Sequence, residues 1–301
     1  MQIVCATDGH YLRHCVAMLQ SLWLHNPNPE IHVYLIFDNV DSHQFGQAAS
    51  YLHELLPAVT FLQASLKPLE GFPVNGHATV ATYFRLLLPE LLPPSVNRAI
   101  FIDADTTVLD TLQTLWNLPL QGHALAAVPE HRNSCLDHGY EFGEYFNAGI
   151  MLIDLSKWRQ ANLLERGRIF AIENPTRMRH WDQDVLNHVF NSDWLALADR
   201  WNACPHLYGL APGYENVQHT QAELEAISNP AIVHFAGSGT VKPWNARCYH
   251  PFKGSYLQAK AQTPWADMPL EDMPPPRWKQ HLDDAIFQSK CFVKDLMGSA
   301  S

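Results

Sequence analysis

The sequence predicts a doubly wound α/β fold with a mostly parallel central sheet, helices on both faces, and a ligand site beyond the carboxyl ends of the strands. Two observations predict it. Over residues 2–62, β-prone apolar runs alternate with segments of helical period, the order that successive βα units produce. Further on, the run Arg98-Ala99-Ile100-Phe101-Ile102 stops at Asp103-Ala104-Asp105. An apolar strand buried on both faces that ends in carboxylates sits where open α/β sheets bind their ligands.

Residues 2–6 read as a strand closed by Thr7-Asp8-Gly9, after which Leu12, Cys15, Val16, Leu19, Leu22 and Trp23 recur at helical spacing. That helix must stop near Asn26, because Pro27 and Pro29 disfavour α geometry before them. Residues 31–37 give a second strand, 41–56 a helix and 59–62 a third strand. No G-x-G-x-x-G follows the first strand, so a dinucleotide fingerprint is absent. Residues 79–88 read as a helix, mostly apolar but carrying Arg85. Beyond the carboxylates come a helical piece at 112–116, a strand at 124–128, and a polar stretch without period at 131–144 that reads as a substrate loop. Residues 145–154 form another apolar strand with Asn147-Ala148-Gly149 at its mouth, where glycine lets a ligand approach the backbone. One helix is expected from Ser156 and another behind Asp182-Gln183-Asp184. Residues 231–235 form a short strand leading through a glycine-containing turn to Lys242-Pro243-Trp244. Prolines then gather (Pro264, Pro269, Pro274, Pro275, Pro276) ahead of an amphipathic stretch at 278–297. The main domain is expected over residues 1–245 and a Pro-rich, helical appendage over 246–301.

The chain has 301 residues, 47% hydrophobic and 17% charged, enough to bury a full core in one or two domains. With 20 Lys+Arg against 30 Asp+Glu its net charge is −10, which argues against nucleic acid as a partner. Six cysteines without a CxxC, in a chain too large to need disulfide staples, read as reduced thiols. No apolar run approaches the ~18 residues of a membrane-spanning helix, and no basic segment leads into a signal-like one. The expectation is a soluble, cytoplasmic protein.

Asp103 and Asp105, two apart in extended chain, would leave the same face and share one divalent cation through hard oxygens. Two other readings stand beside this. Asp105 could cap a turn while Asp103 is a solvated strand end, or Asp103-x-Asp105-x-Thr107 could be the nucleophile motif of a haloacid-dehalogenase-like phosphatase. Arg85 is either paired, as buried arginines are, or packs its stem and keeps its head in water. Asp182 and Asp184 are donor-site acids or partners of a helix dipole. His234, followed eight residues later by Lys242 across Gly237 and Gly239, can wrap a metal and a phosphate together.

Taken in order, these stretches resemble retaining glycosyltransferases of family 8, the group of glycogenin and the bacterial lipopolysaccharide α-galactosyl- and α-glucosyltransferases. The likeness spans residues 1 to about 245. It rests on Thr7-Asp8 with Tyr11, Thr82-Tyr83-x-Arg85, Asp103-x-Asp105, Phe146-Asn147-Ala148-Gly149, Asp182-Gln183-Asp184, and His234 to Lys242-Pro243-Trp244. It implies a Rossmann-like GT-A fold, a UDP-sugar donor and manganese, or magnesium, held by Asp103, Asp105 and His234. Lys242 would neutralise the leaving diphosphate, and Asp8 and Tyr11 would bind uracil. Ala6, Thr7, Ala104 and Gly237 would touch the nucleotide, while Arg85, Asn147, Ala148, Asp182 and Gln183 would surround the sugar. Asp182, Gln183 and Lys242 form the expected catalytic set. Glu130, where related sequences often carry Asp, falls near the acceptor.

The activity this implies is transfer of galactose or glucose from UDP to a saccharide or glycolipid, in lipopolysaccharide or other bacterial surface-glycan synthesis. Related enzymes end in a basic, aromatic, membrane-holding tail. Here Arg277, Lys279, Lys290 and Lys294 face Asp283, Asp284 and Asp295, so at most weak peripheral contact with the inner face of the cell membrane is expected. The phosphatase reading is disfavoured, because its motif belongs on an early strand with a later Gly-Asp pair, and no such dipeptide occurs. A non-catalytic UDP-sugar-binding protein would need the metal site but not Asp182 and Gln183.

Overall fold

The computed structural model describes residues 1–74, 79–211 and 218–272. The amino-terminal half runs β1 (Gln2–Asp8), α1 (Leu12–His25), β2 (His32–Asp38), α2 (Ser42–Leu55), β3 (Ala58–Gln63), a 3-10 segment (Val80–Leu87), α3 (Leu88–Leu91), β4 (Arg98–Ile102), β5 (Thr106–Val108) and α4 (Gln113–Asn117). It continues with β6 (Leu125–Pro129), α5 (Arg132–Asp137), β7 (Phe146–Asp154), α6 (Leu155–Gln160), α7 (Leu163–Glu173), α8 (Asp182–Phe190), β8 (Trp194–Ala196), α9 (Gln221–Ser228), β9 (Ile232–His234) and α10 (Lys253–Lys260).

Seven strands make one sheet in the order β3-β2-β1-β4-β7-β6-β8, and β5 and β9 make a separate pair. β1, β2, β3 and β4 run parallel, while β7 is antiparallel to both β4 and β6. The predicted α/β class with a mostly parallel sheet is therefore present, with one reversed strand inside it. Because that strand is reversed, its first residues lie at the same edge as the carboxyl ends of its neighbours.

Alternation along the strands sends one set of side chains to each face. Val4, Phe101 and Met151 meet Trp158, Phe170 and Leu186 on one side, while Ile3, Ile100 and Leu152 meet Val16, Leu19 and Leu52 on the other. Both faces are covered, which is why the strands read as unbroken apolar runs.

Several expected elements differ in detail. Residues 79–88 form a 3-10 segment before the one-turn α3, since Pro89 can sit only in the first turn of a new helix. The stretch at 131–144 holds the short helix α5, capped by His131, which accepts from the Ser134 amide. The helix from Ser156 is two, parted at Asn162, whose φ of 48° no helix continues through. The strand at 231–235 is not in the main sheet. The appendage expected from residue 246 contributes α10, which packs against α1 by burying Tyr256 and Ala259. The amphipathic stretch at 278–297 lies outside the described residues. Among those described, Cys5, Cys15, Cys135, Cys204 and Cys248 are free and buried.

One side chain joins β7 to α8. Asn187, buried, accepts from the Phe146 amide at 2.8 Å and donates to the Phe146 and Gln183 carbonyls at 2.9 Å. Asn187→Ala takes this partner from the buried Phe146 amide and carbonyl, at about 1–3 kcal/mol each. Its denaturation midpoint should fall clearly below wild type with an unchanged m-value. A shift within the scatter of surface variants would contradict this account.

Candidate active site

β4 ends at Ile102, so Asp103 and Asp105 do not lie on extended strand as the i, i+2 argument supposed. They occupy the tight link to β5, closed by Thr106 Oγ1 donating to the Asp103 carbonyl at 2.8 Å. β5 then pairs antiparallel with β9, with Thr106 opposite His234, and the Phe235 amide donates to the Asp105 carbonyl at 2.9 Å. That pairing is what carries a histidine from 129 positions away to the carboxylates. Ligand atoms of Asp103, Asp105 and His234 all lie within 4.8 Å of one another. His234 Nε2 is 3.3 Å from Asp105 and 4.0 Å from Asp103. Gly149 makes room for the ring, since a Cβ there would meet His234 Cε1 at 2.3 Å.

The hydrogen bonds around this group leave little choice of orientation. Glu130 is buried, which pushes its carboxyl up, but His131 and the Asn147 amide outweigh burial and lower it. Ionised, it only accepts. Asn147 must therefore turn its Nδ2 toward Glu130 (2.9 Å) and its Oδ1 toward the Gly149 amide (2.9 Å) and Asn202 Nδ2 (2.8 Å). Asn202 then offers Oδ1 to His234 Nδ1 at 2.9 Å. An oxygen that only accepts requires the proton on Nδ1, which aims Nε2 at the two carboxylates. A fixed tautomer with its outer nitrogen engaged is how metal-binding histidines are held. Two carboxylates and one such imidazole suit a divalent cation.

Lys242 stands on the other side of Asp105. Its Nζ is paired with Asp105 Oδ2, donates to the Phe235 carbonyl at 2.9 Å, and lies 5.9 and 5.6 Å from the ring centroids of Tyr11 and Trp244. Burial pushes Asp105 up, but Lys242 and His234 together hold it well below the usual carboxylate range. Burial also pushes Asp103 up, and there Arg85 does not fully offset it.

Arg85 is paired, not snorkelling. Buried beneath the cleft, it donates to Asp103 at 2.7 Å and to the Ala148 carbonyl at 2.6 Å, meets Asp182 at 2.8 Å, and lies 4.5 Å above the Phe101 ring. Asp182 also accepts from Thr82 at 2.5 Å, and burial raises its carboxyl to about 6 against the pull of Arg85. Gln183 is held at both ends: Oε1 accepts from the Ala148 amide at 2.9 Å and Nε2 donates to Glu130 at 3.1 Å. Asp184 is structural, bound by Tyr145 (2.8 Å), His138 (2.7 Å) and the His180 amide (2.6 Å). Just before Asp182, Trp181 has φ 48° and ψ −109°, a strained conformation for any side chain with a Cβ.

A single cleft of about 1070 Å³ is lined by Ala6, Thr7, Asp8, Tyr11, Arg85, Asp103, Ala104, Asp105, Glu130, Asn147, Asp182, Gln183, His234, Gly237 and Lys242. Ala148 does not line it and instead ties Gln183 and Arg85 from below. Asp8 is partly spent on its own turn, accepting from the His10 and Tyr11 amides (3.0 and 3.1 Å) and from Thr79 (2.9 Å). Sequence reasoning missed His131, His180, His206 and Trp181 on the opposite wall, and Asn202 behind His234. Single histidines and asparagines between elements carry no pattern that could have marked them. Glu271 and Asp272, beyond the expected main domain, return to the cleft through the Ala246 amide donating to the Glu271 carbonyl at 2.8 Å.

A doubly wound sheet sets at its ligand edge a two-Asp, one-His cluster that could hold a metal ion, beside a buried lysine. The chain belongs to glycosyl transferase family 8, whose description matches residues 2–248. It is 31% identical over 273 residues to general stress protein A of Bacillus subtilis (strain 168), covering 88% of this chain and 94% of that protein. It is 24% identical over 273 residues to the lipopolysaccharide 1,2-glucosyltransferase of Escherichia coli (strain K12), covering 89% and 79%. Among solved structures, the galactosyltransferase LgtC in complex with donor and acceptor sugar analogues superposes with a TM-score of 0.75 at 24% identity, over 93% of this chain and 99% of that one, and so shares its fold. The chain is thus a glycosyltransferase related to those of lipopolysaccharide synthesis, and the phosphatase alternative is set aside.

Glu130→Gln removes the acceptor-only group that orients Asn147, Asn202 and the His234 tautomer. Manganese affinity, read by calorimetry, should fall about 10- to 100-fold, the usual effect of disturbing groups behind a metal ligand, although residue 130 is no ligand. Wild-type affinity would show that the amides hold their orientation without it.

Proposed function

We propose that the chain is a metal-dependent, retaining hexosyltransferase that moves galactose or glucose from UDP to a saccharide or glycolipid acceptor in bacterial lipopolysaccharide or other surface-glycan synthesis. The observation that carries this is the sharing of one cleft by the Asp103/Asp105/His234 cluster, Lys242 and the Arg85–Asp182–Gln183 network. Manganese, or magnesium, held by the cluster would neutralise charge on the departing diphosphate; a mixed oxygen and imidazole donor set favours manganese.

The chain's own residues supply the rest. Lys242 adds fixed positive charge where the leaving oxygen becomes negative. Tyr11 and Asp8 take the uracil end, with the backbone of Ala6, Thr7, Ala104 and Gly237 along the nucleotide. Asp182, held by Arg85, accepts from sugar hydroxyls, and Asn147 and Gln183 border the anomeric carbon. Gln183 is a neutral amide with both ends engaged, a poor nucleophile, which favours attack from the face that UDP leaves, with the leaving phosphate taking the hydroxyl's proton. Glu130 Oε1, which accepts from the His131 amide at 3.0 Å, keeps a second lone pair for an acceptor hydroxyl while Oε2 holds Asn147 and Gln183. The reaction is placed in the cytoplasm, at the inner face of the cell membrane, with at most weak contact through residues 277–295 and no nucleic-acid partner. No described helix is long and apolar enough to cross a membrane.

Incubating the chain with UDP-galactose, UDP-glucose, UDP-N-acetylglucosamine and UDP-galacturonic acid should release UDP from one of the first two, with manganese and not in EDTA. Asp105→Ala should abolish release without unfolding the chain. Tight UDP binding with no turnover of any donor would favour the non-catalytic binder. The raised carboxyl of Asp182 predicts a pH dependence. Its charge is present above about 6 and lost below, so kcat/KM should drop about tenfold per pH unit on the acid side. A profile flat to pH 5 would remove Asp182 from the donor site.

A further inference from the structure

Beside the main cleft lies a second hollow of about 420 Å³, lined by Leu136, His138, Gly139, Thr176, Arg177 and Arg179. Arg179 borders both. His180, the next residue, places its Nδ1 3.3 Å from Gln183 Nε2. His180 thus links Gln183 in sequence and space to Arg179 on the border of the hollow.

The hollow's chemistry has one sign. Two guanidiniums line it and, among the described side chains, no carboxylate does. Arg177 and Arg179 are both exposed and neither forms an ion pair among the described residues, so their charge is open to a ligand. Arg177 is also held in place, its guanidinium 5.4 Å from the Tyr140 ring centroid and 5.7 Å from that of Phe170. Asp184, the carboxylate behind the wall, is buried and spent on His138, Tyr145 and the His180 amide. Two guanidiniums free of carboxylate partners among the described residues, one of them pre-set by Tyr140 and Phe170, match the chemistry of a phosphate or carboxylate, which arginine binds through paired hydrogen bonds.

We infer that this hollow is an acceptor subsite for an anionic group, a phosphate ester or a carboxylate on the acceptor saccharide, seated on Arg177 and Arg179 while the accepting sugar lies by Gln183. The inference rests on the transferase reading above and adds the acceptor's charge to it.

The test uses the full chain with UDP and manganese and three probes on one scaffold: lactose, its 6-phosphate monoester and the corresponding uronate. Binding is read by calorimetry at low and high salt. At least one anionic probe should bind about tenfold or more tightly than lactose, with the advantage shrinking in high salt. Preference for the phosphate or for the uronate says which group the site takes. Arg177→Ala/Arg179→Ala should erase that preference and leave lactose binding as it was, whereas Arg177→Lys/Arg179→Lys should keep part of it. Manganese-dependent UDP release by the wild-type chain without acceptor is measured alongside. If that release is absent, the transferase reading fails and the subsite falls with it. If release is present but the three probes bind alike, the anionic subsite alone is wrong.

Discussion

A buried ionised carboxylate can only accept hydrogen bonds, and in this cleft that restriction propagates. Glu130, at the end of β6, settles which way Asn147 faces, and through Asn202 which nitrogen of His234 carries its proton. The same oxygen holds Gln183, whose carbonyl is then turned to the Ala148 amide. Residues expected to serve three purposes, metal binding, sugar contact and acceptor contact, thus have orientations that depend on one another. Half-satisfied polar networks are costly in low dielectric, so the arrangement holds as a unit.

Arg85 plays the corresponding part for charge. Asp103 and Asp182 belong to different layers, one on the link after β4 and the other at the start of α8, and the guanidinium between them meets both. Truncating one member of such a buried set leaves uncompensated charge, which costs more than the pairing itself is worth. Stacked above Phe101, the arginine also ties the floor of the cleft to the core.

Much of this was legible in the residues, and the limits have physical causes. Strands β1, β2 and β4 show as apolar runs because both of their faces are covered, whereas β3, at the sheet edge, is only half-buried. Asp103-x-Asp105, Asp182-Gln183 and His234 through Lys242 stand out because charge at the mouth of an apolar run is conspicuous. The reversal of β7 leaves no mark, since an antiparallel strand buried on both faces has the same composition as a parallel one. The β5–β9 pair is three residues long on each side and too short for a period to register. The histidines of the far wall are brought together only by tertiary packing, as is Asn202. Arg85 was ambiguous because sequence cannot say whether its partners are carboxylates or water.

The reversed strand also has a consequence for how the molecule can vary. By entering the sheet backwards, β7 delivers Asn147 and Gly149 to the ligand edge from the loop side, next to α5 and the turn before α8. Residues around the Asp103, Asp105 and His234 cluster come from β1, the link after β4, β9 and the loop after it, while those at the far wall come from the segments around α5 and α8. The two groups meet at β7 and Glu130. Substitutions in the far wall can therefore redraw one side of the cleft while the Asp103, Asp105 and His234 side keeps its geometry, so that, on the reading proposed above, a lineage could exchange acceptors without relearning how to hold a nucleotide.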